Sequence, residues 1–91
     1  MPTRTILVGS ASGLHARPAA LFVAEAAKQS VLVTIRTGDK KAVPARSMLG
    51  VLSLGAKKGT EVTLEADGDG AQAAVDTLAD LLERDLDAVD A

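Results

Sequence analysis

Cysteine, tryptophan and tyrosine are absent from this 91-residue chain, phenylalanine occurs once, at Phe22, and histidine once, at His15. The lack of thiols excludes disulfides and thiolate metal sites and fits an intracellular setting better than a secreted one. A single histidine without cysteine falls short of the three or four ligands that a structural or catalytic metal site needs. A hydrolytic triad fares no better. Ser10, Ser12, Ser47 and Ser53 are available as nucleophiles, but so small an alanine-rich domain is poorly equipped to build the concave pocket a hydrolase requires. No apolar run approaches the length of a bilayer span, and the start Met1-Pro2-Thr3-Arg4 carries no hydrophobic signal segment, so the chain reads as soluble and cytoplasmic. The formal net charge is -2, with no lysine or arginine block, which argues against nucleic acid as the main partner.

What is present fits one small domain over residues 1–91, with a core built from Ala, Val, Leu and Ile; the 17 alanines allow elements to approach closely. Residues 3–8 alternate, with Ile6 and Val8 on one side, and predict a first strand. Gly9-Ser10-Ala11-Ser12-Gly13 is expected as a loop. From Ala16 to about Gln29 the pattern is helical, with Pro18 in the first turn, where a missing N–H costs nothing. Positions 19, 22, 23, 26 and 27 form the expected buried face of that helix; 17, 20, 21, 24 and 28 form the opposite one. Val31–Thr37 is a β-branched run, and Thr37-Gly38-Asp39-Lys40 has hairpin-turn chemistry leading into a short strand that ends near Pro44, where proline marks an edge. Ser47 stands ahead of Met48-Leu49-Gly50-Val51-Leu52-Ser53-Leu54-Gly55, a short helix with a serine cap in front and a glycine stop behind. Thr60–Ala66 alternates, with Val62, Leu64 and Ala66 toward the core and Glu61, Thr63 and Glu65 toward water. After Asp67-Gly68-Asp69-Gly70, residues 71–84 predict an amphipathic helix burying Ala71, Ala74, Val75, Leu78, Leu81 and Leu82, with 85–91 extending or fraying it. The order β-α-β-β-α-β-α implies an α+β fold with an antiparallel sheet and helices packed on one face.

The chemistry concentrates in Gly13-Leu14-His15-Ala16-Arg17-Pro18-Ala19-Ala20, where a loop glycine gives way to the helix. Helix starts leave backbone N–H groups unpartnered and carry partial positive charge, so a dianion held just ahead of one is stabilised. His15 supplies a nucleophile largely uncharged at neutral pH, Ala16 keeps the approach open, and Arg17 adds a fixed cation. That combination points to phosphoryl chemistry. In the second segment, more apolar residues crowd one short helix than a single side can bury. Val51 and Leu54 are the expected core pair, leaving Met48, Leu49 and Leu52 to join Ala20, Leu21 and Ala24 as a docking patch around His15.

These two segments, Gly13–Ala19 and Arg46–Gly55, together with the element order, resemble the HPr family of the bacterial phosphoenolpyruvate-dependent sugar phosphotransferase system. The resemblance implies an open-faced β-sandwich with a four-stranded antiparallel sheet and three helices on one face. It implies a stoichiometric carrier rather than a stand-alone enzyme, without a cofactor. His15 would be phosphorylated at Nδ1 by enzyme I and pass the group to the IIA domains of sugar permeases. Arg17 would neutralise the phosphoryl oxygens, and the backbone amides of Ala16 and Arg17 would bind them. In some relatives the residue matching Ser47 is phosphorylated by a dedicated kinase, HPr kinase/phosphorylase. Here Arg46 stands where lysine is usual, and Met48-Leu49 replaces the commoner Ile-Met pair. A monomer is expected, since a docking patch in constant use is not covered by self-association. A regulatory module acting through Ser47, and a carrier for a nitrogen-related or fructose-specific branch, remain open as alternatives.

Overall fold

The protein is described by a computed structural model covering residues 2–9, 16–38 and 40–83. Among the described residues seven elements follow one another: β1 (Thr3–Leu7), α1 (Ala16–Lys28), β2 (Val33–Thr37), β3 (Val43–Pro44), α2 (Met48–Ser53), β4 (Glu61–Ala66) and α3 (Ala71–Glu83). The four strands form one antiparallel sheet in the order β1-β4-β2-β3. Thr5 lies opposite Thr63, Ile35 opposite Leu64, and Thr34 opposite Pro44. Pro44, which cannot donate to a ladder, therefore sits on an edge strand, as its chemistry requires.

Alternation along each strand sends one set of side chains beneath the helices. Ile6, Val33, Ile35, Val62, Leu64 and Ala66 are buried there, while Thr5, Leu7 and Glu61 on the opposite face are exposed. Helix α3 packs on β1 and β4, α1 packs against α2 and α3, and α2 reaches β3. Phe22 from α1 and Leu78 and Leu82 from α3 fill the space between helices and sheet, each wholly buried. With no other aromatic available, closeness is achieved by alanine: Ala19, Ala26, Ala71, Ala74 and Ala79 are all buried at helix contacts. Arg4, on the helix side of β1, spans to α3, its guanidinium 3.4 Å from Asp76, 3.7 Å from Asp80 and 3.4 Å from Glu83.

Several expectations shift in detail. The strand expected over Val31–Thr37 begins only at Val33, and Leu32 is 52% exposed. Thr63, expected to face water, is buried, because β4 is an inner strand and Thr63 is covered by its neighbours: Thr5, whose Oγ1 lies 3.1 Å from its own, and Arg36 opposite it on β2. Ala27, expected in the core, is exposed; it falls one step of about 100° beyond buried Ala26, on the Ala20 side of α1. In α3, Leu81 is only partly buried while Ala79 is wholly buried, which rotates the covered stripe slightly. The expected loop segment Ser10–Gly13 and the tail 85–91 lie outside the described residues, as does Asp39.

Candidate functional site

Helix α1 begins at Ala16, so its amino terminus follows His15 directly in the chain; His15 itself lies outside the described residues. Pro18 occupies the first turn and is buried, fixing the entry of the helix without losing an intrahelical hydrogen bond. Arg17, exposed, is in that same turn. The first turn of α1 holds no acidic residue, so nothing there offsets the partial positive charge of the helix start.

The base of the segment that leads to His15 is held on two sides. Val8 donates its N–H to Thr60 O at 3.0 Å and accepts from Gly59 N at 2.8 Å, and Gly9 N donates to Leu82 O, in the last turn of α3, at 2.9 Å. Thus β1, the approach to β4 and the end of α3 converge where the chain departs toward the histidine.

Ser47 takes the position expected of it. Its backbone is extended, with φ -95 and ψ 109, and its Oγ accepts from Gly50 N at 3.1 Å, capping α2. Gly55, at φ 63, follows the helix in the left-handed region and donates to Leu52 O at 3.2 Å. Gly50 is a residue whose role sequence reasoning passed over. A Cβ built on it would stand 3.2 Å from both Ser47 Oγ and Val43 Cβ, so glycine lets the cap and β3 close on the helix without either neighbour giving way. The signal was available, because glycine inside a six-residue helix costs about 1 kcal/mol against alanine and calls for a packing reason.

Of the residues assigned to a docking patch, Ala20, Leu21 and Ala24 are exposed on α1, and Leu49 and Leu52 are exposed on α2, Leu49 to 81%. Val51 and Leu54 are buried, as anticipated for the core pair. Met48 departs from expectation: it is half-buried and packs against the core, because the first turn of α2 lies close over β3. Since α1 and α2 pack on each other, the exposed leucines stand on adjoining helices. A groove lined by Leu32, Thr34, Glu65, Ala66 and Asp67 opens at the opposite end of the strands, where its carboxylates are unsuited to a phosphoryl group.

Residues 2–84 match the family model described as the PTS HPr component phosphorylation site. Among curated proteins, the phosphocarrier protein HPr of Streptomyces coelicolor is 48% identical over 87 residues, covering 96% of this chain and 94% of its own length. Among solved structures, an HPr from Thermoanaerobacter tengcongensis superposes with a TM-score of 0.84 at 44% identity, over 91% of this chain and 92% of that one. An HPr dimer from the same organism matches with a TM-score of 0.69 at 44% identity, over 91% of this chain and 94% of that one.

Proposed function

The chain belongs to the HPr family of phosphocarriers, and from that premise we propose that His15 accepts the phosphoryl group and Arg17 neutralises it in transit. The observation that supports this reading is the start of α1 at Ala16, the residue that follows the chain's single histidine in the sequence, with Arg17 in the first turn of the helix.

The step is a balanced exchange between two imidazoles. A ring nitrogen of His15, Nδ1 by family resemblance, uses its lone pair to form a bond to phosphorus while the P–N bond of the donor phosphohistidine breaks. With a proton on the second nitrogen of each ring, the donor ring leaves as neutral imidazole and the His15 ring becomes the protonated phosphohistidine, so charge balances without a proton passing between them. Positioning and charge neutralisation are what the protein supplies. The backbone N–H groups of Ala16 and Arg17 contribute with the helix terminus roughly 0.3–2 kcal/mol. Moderate binding suits a carrier, since each extra 1.4 kcal/mol of ground-state hold slows onward transfer about tenfold. Enzyme I is the donor, IIA domains of sugar permeases are the acceptors, and Ala20, Leu21, Ala24, Leu49 and Leu52, flanked by Met48, are the surface they dock on.

Mixing the protein with enzyme I, magnesium and phosphoenolpyruvate should yield one acid-labile phosphate per chain, and His15→Ala should abolish it. Retention of label in that variant would refute the assignment. Size-exclusion chromatography of the phosphorylatable protein should give a monomer; a stable dimer, as crystallised for the T. tengcongensis relative, would overturn that part.

Ser47 supports a second, regulatory reading. Its hydroxyl caps α2 beside exposed Leu49, so a phosphate there would add about -1.5 to -2 charge to the docking surface. Incubation with ATP and HPr kinase/phosphorylase, followed by mass spectrometry, should place a phosphate on Ser47; an unmodified serine would end the idea.

A further inference from the structure

We propose that the groove on the open face of the sheet, walled by Leu32 and Ala66 and bordered by Glu65 and Asp67, receives an arginine side chain presented by a partner protein. The contact is independent of the carrier reading and lies away from the phosphoryl site.

Alternation fixes the face. Val33, Ile35 and Thr37 are buried, so Leu32, Thr34 and Arg36 lie on the opposite side of the sheet, which no helix covers. Glu65 lies opposite both Thr3 and Thr34 and shares that face, and Asp67 follows two residues on. Register fixes the end. Val33 pairs with Ala66 at the groove, whereas Leu7 pairs with Glu61 where the chain departs toward His15. The length of β4 from Glu61 to Ala66 separates the two by about 17 Å at the usual strand rise.

The walls are held before any partner arrives. Ala66 N donates to Pro2 O at 3.2 Å, and the turn after β4 lies against the segment before β2: a Cβ on Gly68 would stand 3.9 Å from Val31 Cγ1, and one on Gly70 would stand 3.3 Å from Ser30 Oγ. The space enclosed is about 360 Å³, far more than a single ion needs.

Its charge is negative and only partly answered. Arg36 places Nε 3.6 Å from Glu65 Oε1, but its Nη1 donates to Gly38 O at 2.7 Å, toward the other end of the strand. Among the described residues no cation stands within 4.0 Å of Asp67, and Arg46, which follows the Ala45 bonded to Val33, reaches no carboxylate either. Leu32, 52% exposed, adds apolar surface beside the carboxylates. An apolar wall leading to negative charge suits a long apolar stem that ends in a cation. Of the two such side chains, arginine fits better, because its planar, weakly hydrated guanidinium can lie on the leucine and meet a carboxylate through paired N–H donors, whereas lysine's ammonium holds its water. A metal ion is a poor occupant, since no group of three His, Cys, Asp or Glu side chains converges among the described residues.

The test follows backbone amide resonances of the isotopically labelled full chain during titration with the peptide acetyl-Gly-Arg-Gly-amide. Leu32, Thr34, Glu65, Ala66 and Asp67 should shift together and saturate in the millimolar range, as suits one side chain. The lysine peptide should bind at least about threefold more weakly, and the citrulline peptide, equal in shape but uncharged, should not bind. D67N and L32S should each weaken binding about threefold or more, with melting temperature and phosphoryl uptake from enzyme I unchanged. Shifts centred on the acidic residues of α3, equal binding of the lysine peptide, or undiminished binding by both variants would overturn the proposal. So would self-association of the wild-type chain that D67N abolishes, since the occupant would then be a second copy. Should either variant fail to fold, the comparison of the three peptides on the wild-type chain decides alone.

Discussion

Ser47 and Gly50 depend on each other within one turn. The serine hydroxyl holds the glycine amide at 3.1 Å, and the glycine's lack of a Cβ is what leaves the serine room. Ser47→Ala should therefore cost about 1 kcal/mol, a fall in melting temperature of roughly 4–8 °C for a domain of this size, followed by thermal unfolding. Ser47→Asp separates the two roles of the residue, because aspartate caps as well as serine. It should melt close to wild type yet accept phosphate from enzyme I more slowly, the charge rather than the fold being responsible. Gly50→Ala gains helix propensity of about 1 kcal/mol, but its methyl meets two neighbours at 3.2 Å that must give by a few tenths of an ångström: Ser47 Oγ, engaged in the cap, and Val43 Cβ, held by the backbone of β3. A net fall in melting temperature is expected; a rise would show that α2 shifts to make room.

At the level of elements, α1 holds on by its single aromatic. Phe22→Ala should cost about 3–5 kcal/mol, a large share of the total stability of a domain this small, readable as a lower urea midpoint. Leu49→Glu, on the outer side of α2, should leave melting unchanged and weaken transfer; a collapsed transition would return Leu49 to a structural role. The contrast between these residues was readable in the sequence, since Phe22 falls on the arc with Ala19 and Ala26 while Leu49 breaks the Val51–Leu54 spacing. The edge position of β3 was equally legible from Pro44, and the cap from Ser47. What pattern alone did not yield depends on neighbours distant in the chain. Thr63 alternates as a solvent-facing residue and is buried only because two strands flank it. Met48 reads as a surplus apolar side chain and is partly covered only because α2 settles against β3.

Across the whole molecule, charge is sorted as well as apolar surface. Arg4 is the counter-ion that α3 lacks in its own turns, standing against Asp76, Asp80 and Glu83 in a partly exposed setting. Arg4→Met should destabilise by no more than about 1 kcal/mol per broken pair, and the loss should be larger at low ionic strength, where the three carboxylates repel unscreened. A salt-independent loss would point to packing of the arginine stem instead. One backbone contact sets a limit on when the molecule becomes competent. The amide of Gly9 is held by the carbonyl of Leu82, and among the described residues β1 pairs with β4 alone, more than fifty residues downstream. During synthesis, then, the tie between Gly9 and the end of α3 stays unmade until the third helix has cleared the ribosome, so a half-built chain lacks one anchor of the segment that leaves β1.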